Sequence, residues 1–383
     1  MDMEAVTQRP ASSNLRRRVT ISDVARACGV APSTVSRALT RPGRVNAETA
    51  EHIRQVALTL GYRPAPPACP TASSKSGVIA LVVADATNPA YGEILRGAQE
   101  AAADAGYTIQ LNDSQESDRL ERDSLERVLP GVDGLLLASS RMSDSAIRVM
   151  ARQKPTILLN RATADIPCRV VDSAGGIRRS VEHLAALGHD RITYVAGPEG
   201  SWADGVRWRS LREAATELEI KLRRTGPFPP TVEAGVHAAA GLASRPLSAV
   251  IAYNDQLAVG LMHGLTEMGV RVPQDVSIVG FDNTYLADLV TPGLTTVAAP
   301  LREAGLSAAR HLIAMVTGTQ PPGRHRVLLP TRLVVRASTA RYERGKPRAA
   351  RSGARGTPQG PGRGTVPLAL VAMKGTERRC QAV

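Results

Sequence analysis

The sequence predicts an α/β protein of two lobes, each a parallel sheet with helices on both faces, preceded by a small all-α module. Three observations carry this reading. From Gly77 onward, short apolar runs alternate with amphipathic stretches of helical period, the pattern that builds parallel sheets covered by helices. Thr20–Leu39 reads as two short helices meeting at a tight turn. The net charge of +13 is also segregated, with +6 on residues 1–75, −1 on residues 76–340 and +8 on residues 341–383. A small basic module ahead of a large neutral body is the distribution expected when only the former meets phosphate. At 383 residues the chain exceeds one ordinary core, so two or three domains are expected.

Residues 1–18 read as a disordered basic arm ending in Arg16-Arg17-Arg18. The first helix follows. Ile21, Val24 and Ala25 fall at helical spacing, and Thr20 with Asp23 three residues on can close the N-terminus from both sides. Gly29 can take the positive φ of a sharp turn, and Pro32 suits the first position of a second helix. Val35 and Leu39 give that helix one buried stripe, leaving Ser33, Thr34 and Arg37 outward. An outward hydroxyl and guanidinium face, held by a preceding helix across a Gly turn, is the helix-turn-helix arrangement for entering a major groove.

The full string Asp-Val-Ala-Arg-Ala-Cys-Gly-Val-Ala-Pro-Ser-Thr-Val-Ser-Arg-Ala-Leu at 23–39 resembles the headpiece of the lactose/galactose repressor family of bacterial transcription regulators. Two departures stand out. Ala31 occupies the place of a capping Ser, a loss of about 1 kcal/mol, and Thr40 replaces the usual Asn. The resemblance implies that Thr20, Pro32, Ser33, Thr34, Ser36, Arg37, Thr40 and Arg44 contact double-stranded operator DNA, with Arg37 the expected bidentate partner of a guanine. Arg41-Pro-Gly-Arg44 makes a turn, and Asn46 opens a third helix with Ile53, Val56 and Leu60 inward and Gly61 at its end. The headpiece thus spans 19–63. Residues 64–76 are a Pro-rich linker. In the resembled family this segment is a hinge helix entering the minor groove, yet here Pro70 falls inside it and Thr71 stands where Leu is expected.

In the body, Val78–Val83, Thr108–Leu111, Leu135–Ala138, Thr156–Leu159, Ile192–Ala196, Ala249–Ala252 and Ser277–Gly280 read as strands. Helices between them include Tyr91–Ala105, Ala174–Leu187, Gly205–Leu218, Asp255–Met268 and Arg302–Val316. This number of units suits two lobes within 77–340. Val-Asp-Gly-Leu-Leu-Leu at 132–137, Val-Glu-His-Leu-Ala-Ala-Leu-Gly-His at 181–189, Asn-Asp-Gln-Leu-Ala-Val-Gly at 254–260 and Val-Pro-Gln-Asp-Val-Ser-Ile-Val-Gly-Phe-Asp at 272–282 extend the resemblance over about 20–340. It implies a core similar to periplasmic sugar-binding proteins, with a small-molecule, sugar-like effector between the lobes, and a homodimeric repressor on a palindromic operator.

Ligands of such sheets bind at the carboxyl ends of strands. The polar residues there are Asp85, Asn88 and Tyr91 after the first strand, Asn160 after the fourth, Trp202 and Arg207 beyond Ile192–Ala196, Asn254 beyond Ala249–Ala252, and Asp282 beyond Ser277–Gly280. Carboxylates, amides, a guanidinium and an aromatic face suit the vicinal hydroxyls and apolar ring face of a sugar. Arg207, Asn254 and Asp282 match the family's motif positions. From spacing alone, Asn254 or Asp255 can equally cap the following helix, and Arg207 can pair with Asp204. His183 and His189 read as packing or capping residues.

No Gly-x-Ser-x-Gly, Gly-Lys-Ser/Thr phosphate loop, His-Glu-x-x-His or Gly-x-Gly-x-x-Gly occurs. It is the attached DNA reader that makes ligand sensing, without catalysis or cofactor, the expected role; the two other classes are an exported periplasmic-type binding protein, which would need an export signal, and an α/β enzyme with an incidental N-terminal helical module. Cys28, Cys69, Cys168 and Cys380 have no paired or metal-ligand spacing, which fits the cytosol. The longest apolar run, Val78–Ala84, is far short of a membrane span. Residues 341–383, low in complexity and without leucine heptads, read as a disordered basic tail.

Overall fold

The computed structural model describes residues 19–40, 45–60, 62, 75–243, 247–319 and 326–342. The expected arm, the turn at 41–44 with Arg44, Gly61, the linker as far as residue 74 and the tail from residue 343 on lie outside these residues; the first two residues of the expected tail are ordered against the body, Tyr342 N donating to the Leu187 carbonyl at 2.8 Å.

The N-terminal helices are α1 (Ile21–Cys28), α2 (Pro32–Thr40) and α3 (Ala47–Thr59). Thr20 starts α1 by donating from both its backbone N and its Oγ1 to Asp23 Oδ2, at 2.9 and 2.6 Å. Gly29 ends it at φ 67°. Asn46 caps α3, its Oδ1 accepting the Glu48 N–H at 3.0 Å. Val24, Ala25, Val35, Ala38, Ala50, Ile53 and Ala57 form the core. The inward stripe of α3 is therefore Ala50, Ile53 and Ala57, not Ile53, Val56 and Leu60. Val56 is half-buried and Leu60 is 39 % exposed. In α2, Ala38 is buried with Val35 while Leu39 is only half-buried. In both helices small side chains face inward, letting short helices approach closely around Ile53.

The first lobe holds β1 (Val78–Val83), β2 (Thr108–Asp113), β3 (Gly134–Ala138), β4 (Thr156–Leu159), β5 (Cys168–Val171) and β11 (Arg326–Leu329). The second holds β6 (Arg191–Val195), β7 (Lys221–Thr225), β8 (Ala249–Ala252), β9 (Ser277–Asp282), β10 (Thr295–Ala298) and β12 (Arg332–Val334). The sheet orders are β11-β5-β4-β3-β1-β2 and β12-β10-β9-β8-β6-β7. All pairings are parallel except β10 with β12. This is the predicted two-lobed α/β architecture behind a helical module.

Helices cover both faces of each sheet. In lobe 1, α4 (Pro89–Asp104) and α12 (Leu301–Thr317) cover one face, α5 (Asp118–Val128) and α6 (Asp144–Gln153) the other. In lobe 2, α9 (Val232–Ala243) and α10 (Asp255–Glu267) lie opposite α7 (Ser173–Ala186) and α8 (Trp202–Glu217). A one-turn helix, α11, runs Leu286–Leu289. Close approach demands glycine in α4: a Cβ on Gly97 would stand 1.9 Å from the Arg302 carbonyl oxygen.

The chain crosses between lobes after β5, after β10 and after β11. Two crossings are tied together, Thr331 Oγ1 donating to the Asp172 carbonyl at 3.0 Å and Asp172 N to the Leu329 carbonyl at 2.8 Å. Sequence reading missed β5, β7, β10, β11 and β12, and three boundaries shift in ways that matter below. Helix α4 starts at Pro89 rather than Tyr91, α8 at Trp202 rather than Gly205, and β9 runs on to Asp282. No helix among the described residues is long and apolar enough to cross a membrane.

Candidate functional site

Helix α2 presents Pro32, Ser33 and Arg37 to solvent, with Thr34 and Ser36 half-buried beside Val35. Thr20 is exposed, but its hydroxyl is engaged by Asp23. Thr40 is the last residue of α2.

Between the lobes, Asn88, Tyr91, Ser139 and Asn160 of lobe 1 face Arg207, Tyr253 and Asp282 of lobe 2 around a cavity of about 30 Å³. Each stands where its sheet places ligands: after β1, β3, β4 and β8, at the end of β9, and on the helix after β6. Ser139, Asn160 and Asp282 have φ of 57°, 54° and 104°. Such strain in residues other than glycine clusters at ligand sites, where the surrounding structure enforces it.

Arg207 organises the electrostatics. Its guanidinium lies 3.5 Å from the Phe281 ring centroid and 4.8 Å from that of Tyr253. Nη1 donates to the Tyr253 carbonyl, and Nη2 lies 3.7 Å from Asp282 Oδ1. Nε has no partner among the described residues. Burial pushes the Asp282 carboxyl up to about 6, against the pull of the Arg207 charge. Behind it, Asp255 is fully buried and raised to about 7, by burial and then by the charge of Asp282. It accepts from Thr284 N at 2.7 Å, Thr284 Oγ1 at 3.1 Å and Thr296 Oγ1 at 2.5 Å. The wall of the cavity thus offers a guanidinium, a carboxylate, two amides and two phenols, a donor and acceptor set for several hydroxyls.

Of the eight residues expected at the effector site, the structure brings together Asn88, Tyr91, Asn160, Arg207 and Asp282. Three lie elsewhere. Asp85 turns its Oδ1 to Thr87, accepting from N at 2.9 Å and Oγ1 at 2.6 Å. Trp202 is the first residue of α8 and packs on the apolar cluster of lobe 1 around Val82 and Met142. Asn254 caps α10, its Oδ1 accepting from Leu257 N at 3.0 Å while Nδ2 donates to the Pro230 carbonyl at 3.1 Å. Asn88 combines both roles, lining the cavity and capping α4 through Ala90 N at 3.0 Å. Asp204 pairs with Arg224 at 2.7 Å, not with Arg207, and also binds the Tyr194 hydroxyl. Ser139 and Tyr253 were missed, although each immediately follows a predicted strand.

His183 and His189 are packing residues. His183 Nε2 bonds Thr339 Oγ1 at 3.0 Å, and His189 bonds Ser277 and stacks on Tyr342. Cys28 and Cys168 are free thiols, and no group of three metal-ligating side chains occurs among the described residues. Cys69 and Cys380 lie outside them.

Known proteins place this geometry. A family described as bacterial regulatory proteins, lacI family, matches residues 20–65, and one described as a periplasmic binding protein-like domain matches residues 181–339. The chain is 32% identical over 335 residues to the HTH-type transcriptional regulator DegA of Bacillus subtilis, covering 84% of this chain and 98% of that protein. It is 31% identical over 330 residues to the HTH-type transcriptional repressor CytR of Escherichia coli, covering 84% and 96%. Among solved structures, the lac repressor dimer bound to operator and the anti-inducer ONPF matches at 26% identity and a TM-score of 0.68, covering 85% of this chain and all of that one. A LacI family regulator from Enterococcus faecium with bound ribose matches at 29% identity and a TM-score of 0.62, covering 70% of this chain and 100% of that one.

Proposed function

The chain belongs to the lacI family of bacterial regulatory proteins and is a DNA-binding transcription regulator, and we propose that it acts as a homodimeric repressor on a palindromic operator under the control of a sugar-like effector. The outward face of α2, with Pro32, Ser33 and Arg37 exposed, enters the major groove of each half-site. Thr20, Thr34, Ser36, Thr40 and Arg44 complete the contacts. The effector sits in the inter-lobe cavity on Asn88, Tyr91, Asn160, Arg207 and Asp282. Acting on DNA, the protein works in the cytoplasm.

The observation that carries the effector reading is the Arg207–Asp282 pair at the carboxyl ends of the lobe 2 strands, facing amides and a phenol of lobe 1. At about 30 Å³ the cavity has room for about one water, not for a sugar ring. Entry of a sugar therefore requires the lobes to part, and the tied crossings at Asp172 and Thr331 are where that motion bends the chain. Effector binding and lobe separation are in this way one event.

A screen of pentoses, hexoses and their glycosides tests this, read by the thermal midpoint of the full chain and by fluorescence polarisation on a selected operator. A sugar that raises the midpoint and changes operator affinity is the expected result. Stabilisation by no member of the panel would contradict the effector reading.

A further inference from the structure

Lobe 2 places an aromatic side chain in lobe 1. Trp202 opens α8 of lobe 2, yet it packs on the apolar cluster of lobe 1 to which the fully buried Met142 belongs. The residue two places before it meets the same neighbour: a Cβ on Gly200 would stand 3.5 Å from the Arg141 Cδ. The loop between β6 and α8 is thus docked on the turn at Arg141-Met142 that joins β3 to α6.

Both sides of this contact are held in place. In lobe 1, Arg141 N donates to Glu121 Oε2 at 2.8 Å, its Nε to Glu116 Oε2 at 2.5 Å and its Nη1 to the Ser139 carbonyl at 2.8 Å. In lobe 2, Ser201 Oγ accepts from Asp204 N at 3.2 Å and shares a hydrogen bond of 2.9 Å with the Tyr253 hydroxyl. Asp204 in turn accepts from Gly197 N at 2.8 Å and from the Tyr194 hydroxyl at 2.7 Å. With each loop tied to its own lobe, Trp202 leaves the lobe 1 cluster when the lobes part. Ser139 and Tyr253, the residues these bonds reach, line the inter-lobe cavity. The contact therefore stands at the edge of the cavity, and opening it returns apolar area to water.

We propose that Trp202 is a latch that holds the two lobes together, so that an effector enters against the cost of drawing it out of lobe 1. The consequence for binding rests on the effector reading above, whereas the latch itself is a property of the chain alone. The side chain expected to stack on a sugar sets instead how readily the cavity opens.

Cysteine labelling of the full chain, with no ligand added, tests the latch. Ser139→Cys puts a thiol on the cavity wall, and its reaction with iodoacetamide, read peptide by peptide in a mass spectrometer, reports parting of the lobes. Cys168, 1% exposed inside lobe 1, reports loosening of the fold in the same sample. Adding Trp202→Ala is expected to speed labelling at residue 139 about tenfold and to leave Cys168 unchanged. Trp202→Phe, which keeps an aromatic ring in the cluster, restores most of the slow rate. Equal labelling at residue 139 with and without Trp202→Ala, or acceleration at both cysteines, overturns the latch. Calorimetry with the panel of pentoses and hexoses supplies the second arm: a sugar that binds the wild type binds Trp202→Ala about tenfold tighter. Equal or weaker binding overturns the latch, while binding of no sugar to either protein overturns the effector reading and leaves the labelling result to stand.

Discussion

Arg207 Nη2 and Asp282 Oδ1 stand 3.7 Å apart, near enough for charge to act but too far for a hydrogen bond, with both side chains largely buried. The separation has a structural cause. Arg207 is held on the face of Phe281 and by the Tyr253 carbonyl, while Asp282 ends β9 at a φ of 104°. The pair is preorganised, and a hydroxyl entering beside it can accept from the guanidinium and donate to the carboxylate.

Asp282→Asn keeps the shape and removes the charge. Effector affinity is expected to fall by about 1–3 kcal/mol, the cost of leaving buried polar partners poorly matched. Operator affinity without effector stays within about twofold, because coupling requires the ligand. Calorimetry on the cleft and fluorescence polarisation on the operator read the two sides. A loss of operator affinity alone would assign Asp282 to the fold.

The acid–base behaviour of the cleft has a definite sign. Asp255, raised to about 7 in the folded state, holds a proton that the unfolded chain gives up near pH 4. Stability from this group therefore falls as pH rises from about 4 to about 7. His189, pushed down to about 4 by burial, acts oppositely below its ordinary range. Between pH 8 and 6.5 the aspartate dominates, and acidification is expected to stabilise the wild type by about 1 kcal/mol more than Asp255→Asn. Urea denaturation of both at the two pH values measures this, and equal pH responses would contradict it.

Packing of α4 on α12 makes a paired prediction. Gly97→Ala drives a methyl to 1.9 Å from the Arg302 carbonyl oxygen and is expected to cost about 1–3 kcal/mol. Gly92→Ala on the same helix meets nothing within 4 Å and should stabilise by about 0.5–1 kcal/mol through helix propensity. Chemical denaturation gives both, and equal effects would refute the close approach.

Much of the fold was legible because β1, β3, β4 and β8 are buried apolar runs, which only sheets covered on both faces require. Strand β7, Lys-Leu-Arg-Arg-Thr, was illegible because it lies at an edge with Lys221, Arg223 and Arg224 exposed. Strand β5 was hidden by Arg169, buried in the sheet and bonded to His311 Nδ1 at 3.1 Å from α12. The rule that ligand residues follow strands found five cavity residues. It could not separate Asn254, whose side chain is consumed by the α10 cap, from Tyr253 beside it.

On the DNA side, Arg37→Ala should cost about 1–3 kcal/mol at the operator and relax preference at one base pair of each half-site. Selection from a randomised operator at fixed salt reads this. Uniform weakening across all sequences would assign Arg37 to phosphate instead.

The central claim is that the cleft and the DNA-reading helices are linked. Titrating labelled operator into the full chain, with and without a saturating effector found by the sugar screen, tests it most directly. The account predicts a change in operator affinity of about 5- to 150-fold, matched by the same factor in effector affinity when operator is saturating. Operator affinity unchanged at saturating effector, with both ligands bound, would contradict it.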